Sequence, residues 1–173
     1  MTRRYAEGTT VPIERSKAEL DRLLAAHGAG QRGFAGDDEN GRAVVVFSMA
    51  GRQVRLEVSL PTVAQLYAQA QKQRKPPHGW RSKGEASRRA WCNEHREKVE
   101  RQRWRAMLLL VKAKLEAVAD GQSTVEREFL PDIVMPNGQR LETAIAPQIA
   151  RAYETGTMPP LLPAYGANEG TTP

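Results

Sequence analysis

The hydrophobic positions of this chain switch between a period near 3.6 and a period of two, and the switches mark out its elements. "SKAELDRLLAAHG" reads as a helix in which Leu20, Leu23, Leu24 and His27 share one face. Ser16 and Glu19 have the spacing of a capping box, and Gly28 suits the left-handed residue that ends a helix. From residue 32 to residue 60 the period is two. "RGFAGD" predicts a short strand, Asn40-Gly41 a hairpin turn, "RAVVVFSM" a β-branched second strand and Ala50-Gly51 a further turn. "RQVRLEVSL" sets Val54, Leu56, Val58 and Leu60 against Arg55, Glu57 and Ser59, the pattern of an antiparallel strand with one wet face. Pro61 ends it.

Helical spacing then returns. "TVAQLYAQAQKQ" predicts a short helix capped by Thr62, and "RKPPHGWRSKG" breaks all periodicity. From Glu85 to Asp120 there is no Pro or Gly, and Trp104, Leu108, Val111, Leu115 and Val118 trace an apolar stripe. A helix of that length would span roughly 54 Å, so its first half is expected to project, bend or run against another chain. Gly121 is its natural stop, and Ser123 with Glu126 predicts a new capped helix. "IVMPNGQRL" reads as a tight turn between two short strands. "LETAIAPQIARAYETG" reads as a last helix with Leu141, Ile145, Ile149 and Tyr153 on one face and Pro147 delaying or kinking it. "TMPPLLPAYG" is extended and apolar, expected to lie across the surface. Residues 1–12 and 164–173 lack periodicity and are expected to be flexible. The fold class is therefore α+β in a single domain over residues 13–163. An N-terminal helix and a three-stranded antiparallel meander pack on a long helix, followed by a small helical part with a short hairpin.

Composition sharpens the picture in one respect. The chain has 173 residues, 40% of them apolar, enough for an independent core. Cys92 is the only cysteine, so no intramolecular disulfide can form. Neither a signal peptide nor a membrane span is visible, and a soluble cytoplasmic protein is expected. Net charge is +6, and it is localised: residues 72–105 hold twelve Lys or Arg against four Glu, a balance of +8. Such concentration is the electrostatic footprint of a phosphate-backbone binder.

Chemistry of other kinds finds little support. His27, His78 and His95 lie far apart. Cys92 and His95 are three residues apart, but no second pair completes a zinc site. Asp37, Asp38 and Glu39 sit where turn formation alone favours acidic residues. There is no phosphate-loop, dinucleotide or nucleophile-elbow motif. No catalytic residue, metal or cofactor is expected. The contact is placed on Lys72, Arg74, Lys75, Trp80, Arg81, Lys83, Arg88 and Arg89, within and just after the basic loop 72–84. Trp80, flanked by cations in a Pro/Gly-rich loop, suits a stacking platform for an unpaired base, whereas Trp91 falls on the buried side of its helix. The later basic stretch, "NEHREKVERQRWR", mixes Glu and Arg at helical spacing and reads as a salt-bridged solvent face.

"RQRWRAMLLLVKAKLEAV", "MAGRQVRLEVSL" and "MPPLLP" resemble a group of small proteins encoded by tailed bacteriophages and prophages, over about residues 11–163. The resemblance implies a phage origin and a host-cytoplasm setting, and it carries no active-site residues across. The expected function is non-enzymatic binding of nucleic acid, DNA ahead of RNA, in replication or recombination. The alternative is a protein-interaction module that inhibits or redirects a host defence or polymerase protein. The long helix offers a surface for self-association.

Overall fold

The computed structural model describes residues 5–73 and 77–162. The fold is α+β, as the periodicity predicts. Strands β1 (Gly30–Asp37), β2 (Arg42–Met49) and β3 (Arg52–Ser59) form an antiparallel sheet in chain order. Its register pairs Asp37 with Arg42, Val45 with Leu56 and Met49 with Arg52. Alternation places Ala43, Val45, Phe47 and Met49 of β2 on one face, together with Val54, Leu56 and Val58 of β3, all buried. Two turn positions carry the meander. Gly41 is left-handed, and a Cβ there would lie 2.3 Å from the Leu60 carbonyl oxygen, so only glycine fits. Its own carbonyl accepts the Leu60 N–H at 2.7 Å, pinning the end of β3 to the first turn. Ala50 takes φ 50° beside Gly51 at 70°, the mirror-image turn that matches strand twist.

Helix α1 spans Ile13–Ala26, beginning one turn before the expected Ser16 cap. Pro12 supplies the entry, and Ser16 lies on the inner face, its hydroxyl donating to the Pro12 carbonyl at 3.5 Å. Helix α2 (Val63–Lys72) starts as expected at Thr62, whose hydroxyl accepts the Gln65 N–H while Gln65 Oε1 accepts the Thr62 N–H. Helix α3 is continuous over Glu85–Ala119, 35 residues and roughly 52 Å. Helix α4 (Val125–Phe129) is capped by Thr124, one residue after the expected Ser123, and runs into a 3-10 turn at Leu130–Asp132. A short bridge pairs Val134 with Arg140 around Asn137-Gly138, giving the small hairpin. Helix α5 (Leu141–Thr155) continues through Pro147, which neither delays its start nor stops it. The apolar face of α5 is not buried: Ile149 and Tyr153 are exposed, and Met158 and Leu161 fold back beside them instead of crossing the body.

One core joins the sheet to α1, α4 and the second half of α3. Leu20 and Leu24 meet Trp104, Leu108, Val111 and Leu115 over the buried strand residues, with Phe47 edge-on to Phe129 at 5.5 Å. A second, smaller cluster joins α2 to the first half of α3 through Leu66, Ala70, Trp80 and Cys92. The two clusters use different sides of α3. Twelve residues at about 100° each place Trp104 roughly 120° around the helix from Cys92. The first half of α3 thus does not hang free, because α2 and Trp80 of the following loop pack on it.

Edges and faces are tied by polar contacts. Ile133 bridges to Val54 and the Val134 N–H donates to the Gln53 carbonyl at 2.8 Å, covering the start of the outer edge of β3. The outer edge of β1 is interrupted by a bulge between Gly30 and Gly33, and Arg32 there bonds Asp21 at 2.7 Å. On the wet face Arg140 reaches Glu57, Asp132 and Glu142. Burial pushes the Asp132 carboxyl above its usual range even so, with Arg140 pulling the other way. Arg105 of α3 bonds Glu19 of α1 and holds that carboxyl below its usual range, with a smaller share from Arg15.

A lowered folded-state value means the Glu19 interaction is present above the unfolded carboxylate value and lost as pH falls through the folded one. Arg105→Ala should therefore flatten the acid arm of the stability curve. Denaturant unfolding at steps between about pH 5 and pH 3 checks this, and an unchanged acid slope would contradict it.

Candidate functional site

The basic region gathers at one end of the molecule, where α2 finishes, the loop turns and α3 begins. No acidic residue occurs between Glu57 and Glu85, so α2 and the loop bring no carboxylate of their own. Of the eight residues placed in the contact, Arg74 and Lys75 lie outside the described residues. Lys72, Arg81 and Lys83 are exposed and make no ion pair among the described residues. Arg89 pairs with Glu85 at 3.0 Å with both side chains about two-thirds exposed, an arrangement that contributes little in water. Arg88 is committed to the protein: its guanidinium donates to the Trp80 carbonyl at 2.9 Å and the Arg81 carbonyl at 3.1 Å.

Trp80 corrects the expectation of an open stacking platform. It is 4% exposed and sits edge-on to Tyr67 and Trp91, each at 5.4 Å, with the Arg88 cation 5.8 Å from its ring centre. The loop's local bonds explain the inward turn. The Trp80 N–H donates to the Pro77 carbonyl at 2.9 Å, Gly79 is left-handed, and its carbonyl accepts the Lys83 N–H and the Ser82 hydroxyl. That compact turn aims the indole into the gap between α2 and α3, whose apolar walls would otherwise be wet. Trp91, expected to be core, is only half-buried; it stacks on His95, one turn along, at 5.0 Å. The signal for this pair was its spacing of four on a helix, which places two planar rings side by side.

The later basic stretch behaves as its mixed pattern predicts, and more of it is tied down than helix neighbours alone would allow. Lys98 bonds Glu94 at 2.6 Å and Arg101 approaches Glu97 at 3.8 Å. Three other cations reach distant elements. Arg96 bonds Asp38 of the β1–β2 turn, Arg103 donates to the Ser59 carbonyl at 2.7 Å, and Arg105 bonds Glu19. Among the described residues, Lys72, Arg81 and Lys83 are thus grouped at the α2–loop–α3 end, whereas other exposed cations without an ion pair, such as Arg52, Lys112 and Arg151, stand singly on separate elements.

The acidic turn is built for turning. Asp37 accepts from both the backbone N–H and the side-chain amide of Asn40, at 3.0 and 2.8 Å, and these bonds hold its carboxyl below the usual range. Asp38 is spent on Arg96. Burial pushes the Cys92 thiol up, and His95 faces Trp91. Among the described residues no three His, Cys, Asp or Glu side chains converge for a metal, and no helix is long and apolar enough to cross a membrane. No family model, no curated protein and no solved structure matches the chain.

Trp80→Ala removes roughly 3–5 kcal/mol of packing from the second cluster. Hydrogen exchange should show lost protection over α2 and the first third of α3, with the strands unchanged; an even loss across the chain would mean that the two clusters open together. Arg88→Ala leaves two loop carbonyls without their donor. Trypsin should then cut after Arg81 and Lys83 faster than in the parent chain while the global melt shifts only slightly.

Proposed function

We propose that this protein binds nucleic acid through its α2–loop–α3 end, neutralising the phosphate backbone and not acting as an enzyme. The observation that carries the reading is that Lys72, Arg81 and Lys83 stand exposed and close together without a carboxylate partner among the described residues, while Arg96, Lys98, Arg101, Arg103 and Arg105 in the middle of α3 are bonded to the protein itself. A surface that leaves only like charges unpaired is attracted to a polyanion and releases its counterions on binding. With Trp80 withdrawn, the loop contributes charge without stacking, so backbone contact dominates and sequence preference is weak. The phage origin and the role in replication or recombination suggested by the sequence resemblance are part of this proposal, as is DNA as the preferred strand.

A second reading rests on a different surface. Ile149, Tyr153, Met158 and Leu161 form an exposed apolar patch on and after α5, with a cleft of about 330 Å³ between them. Contiguous apolar exposure of this kind marks protein-interaction sites, which favours an interaction module acting on a host protein as the alternative.

Fluorescence-anisotropy titration against a short DNA duplex and a single strand, repeated over a range of salt, separates the two. Log affinity should fall linearly with log salt, with a slope of about −0.7 to −0.9 per phosphate neutralised. The exposed triple variant Lys72→Ala, Arg81→Ala, Lys83→Ala should keep the parent melting curve and lose about two units of that slope. Absence of binding to either strand at low salt would leave the interaction module as the reading.

A further inference from the structure

Trp91 and His95 stack with an interplanar angle of 9° and form one wall of a recess of about 250 Å³ between α3 and α2. Leu66 and Ala70 supply its apolar floor, and Gln69 and Gln73 stand on the α2 side of its rim. Both glutamine side chains are exposed and have no hydrogen-bond partner among the described residues. Each carries a carbonyl acceptor and an amide donor, the complement of the donor–acceptor edge of a nucleobase. Lys72 shares an adjoining shallow face with the same two glutamines, so an unpaired cation lies directly beside the recess. The volume falls below the roughly 300–1,000 Å³ usual for pockets that enclose whole drug-sized ligands, a size that suits a single planar base.

We propose that this recess accepts one unpaired base of a nucleic-acid strand, packed against the Trp91–His95 wall, met at its edge by Gln69 and Gln73, with the neighbouring phosphate on Lys72. The inference rests on the reading of the basic end as a nucleic-acid contact and adds to it a preference for single strands. It also exchanges the roles of the two tryptophans: Trp80 holds the loop, and Trp91 serves the ligand. A stacked aromatic surface is tolerant of base identity because every base has a π-face. Charge complementarity selects the strand over an apolar ligand, since Lys72 beside the recess has no ion-pair partner among the described residues and α2 carries no acid.

The test compares a twelve-nucleotide oligodeoxythymidine with an abasic strand of equal length, at one salt concentration and against the full chain. Oligouridine of the same length serves as the RNA arm. The abasic strand keeps every phosphate and removes every base. The intact strand should bind roughly 5- to 100-fold more tightly, the range expected for one stacked base. His95→Ala and Gln73→Ala lie outside the buried cluster and should close most of that gap, leaving abasic-strand affinity and the salt slope unchanged. Trp91→Phe, which retains a ring for the cluster, should keep part of the gap and abolish the change in tryptophan emission on binding. Preference for either intact strand supports the recess and names the strand type. Equal affinity for intact and abasic strands in the parent protein would overturn the recess and leave backbone binding standing. A gap that persists in both His95→Ala and Gln73→Ala would overturn its assignment to these residues. Binding to no strand at low salt would sink both proposals together.

Discussion

The length of α3 is the constraint on which the rest of the structure depends. A helix of 35 residues outruns the three-stranded sheet it covers, and about half of it would be left in water by one core. The chain meets this by giving the helix two apolar sides. Trp104, Leu108, Val111 and Leu115 face the sheet, whereas Cys92 and its neighbours face α2 roughly a third of a turn around. Each side alone is short, and neither forms a stripe along the whole helix. Two modest cores on one rod hold together a molecule whose sheet would be too small to support its helices alone.

Covering the far end of α3 with an acid-free segment has an electrostatic result. Beyond its first turns, the carboxylates that neutralise α3 come from α1, the β1–β2 turn and α3 itself, and they cluster at its middle. At the start of the helix, Glu85 and the backbone carbonyls of the loop satisfy Arg89 and Arg88. Lys72, Arg81 and Lys83 have no such neighbour among the described residues. The uneven charge of the surface therefore follows from which segment was recruited to bury the second apolar side, and the loop is shaped first by the need to deliver Trp80 to that side.

Much of the architecture was legible because it rests on local rules. The alternation in β3, the Thr62 cap, the unbroken run from Glu85 and the glycine at 121 each specify their element without help from afar. Caps were less secure where two candidates adjoin: Thr124 outcompetes Ser123, and Pro12 lets Ile13 join α1 ahead of Ser16. The site was harder, since its state depends on partners remote in sequence. The stretch around Arg96 and Arg105 reads as salt-bridged, but their acids lie 58 and 86 residues away, partners that no local window could reveal. The same holds for the tryptophans. A cation-flanked aromatic in a Pro/Gly-rich loop looks available, yet the apolar gap waiting between α2 and α3 draws Trp80 inward and leaves Trp91 at the rim.

The open side of β1 has a consequence for how copies of this chain can meet. Strand addition needs a regular row of N–H and C=O groups, and here the row is broken by a bulge, by Gln31 at φ 42° and by the side chain of Arg32 turned onto α1. On the opposite margin, Ile133 and Val134 already occupy the positions beside Gln53 and Val54. Strand addition is therefore hindered at the bulged start of β1 and at Gln53–Val54 of β3, and the exposed apolar side chains of Leu109, Leu110 and the α5 face lie on helices, away from the backbone ladder.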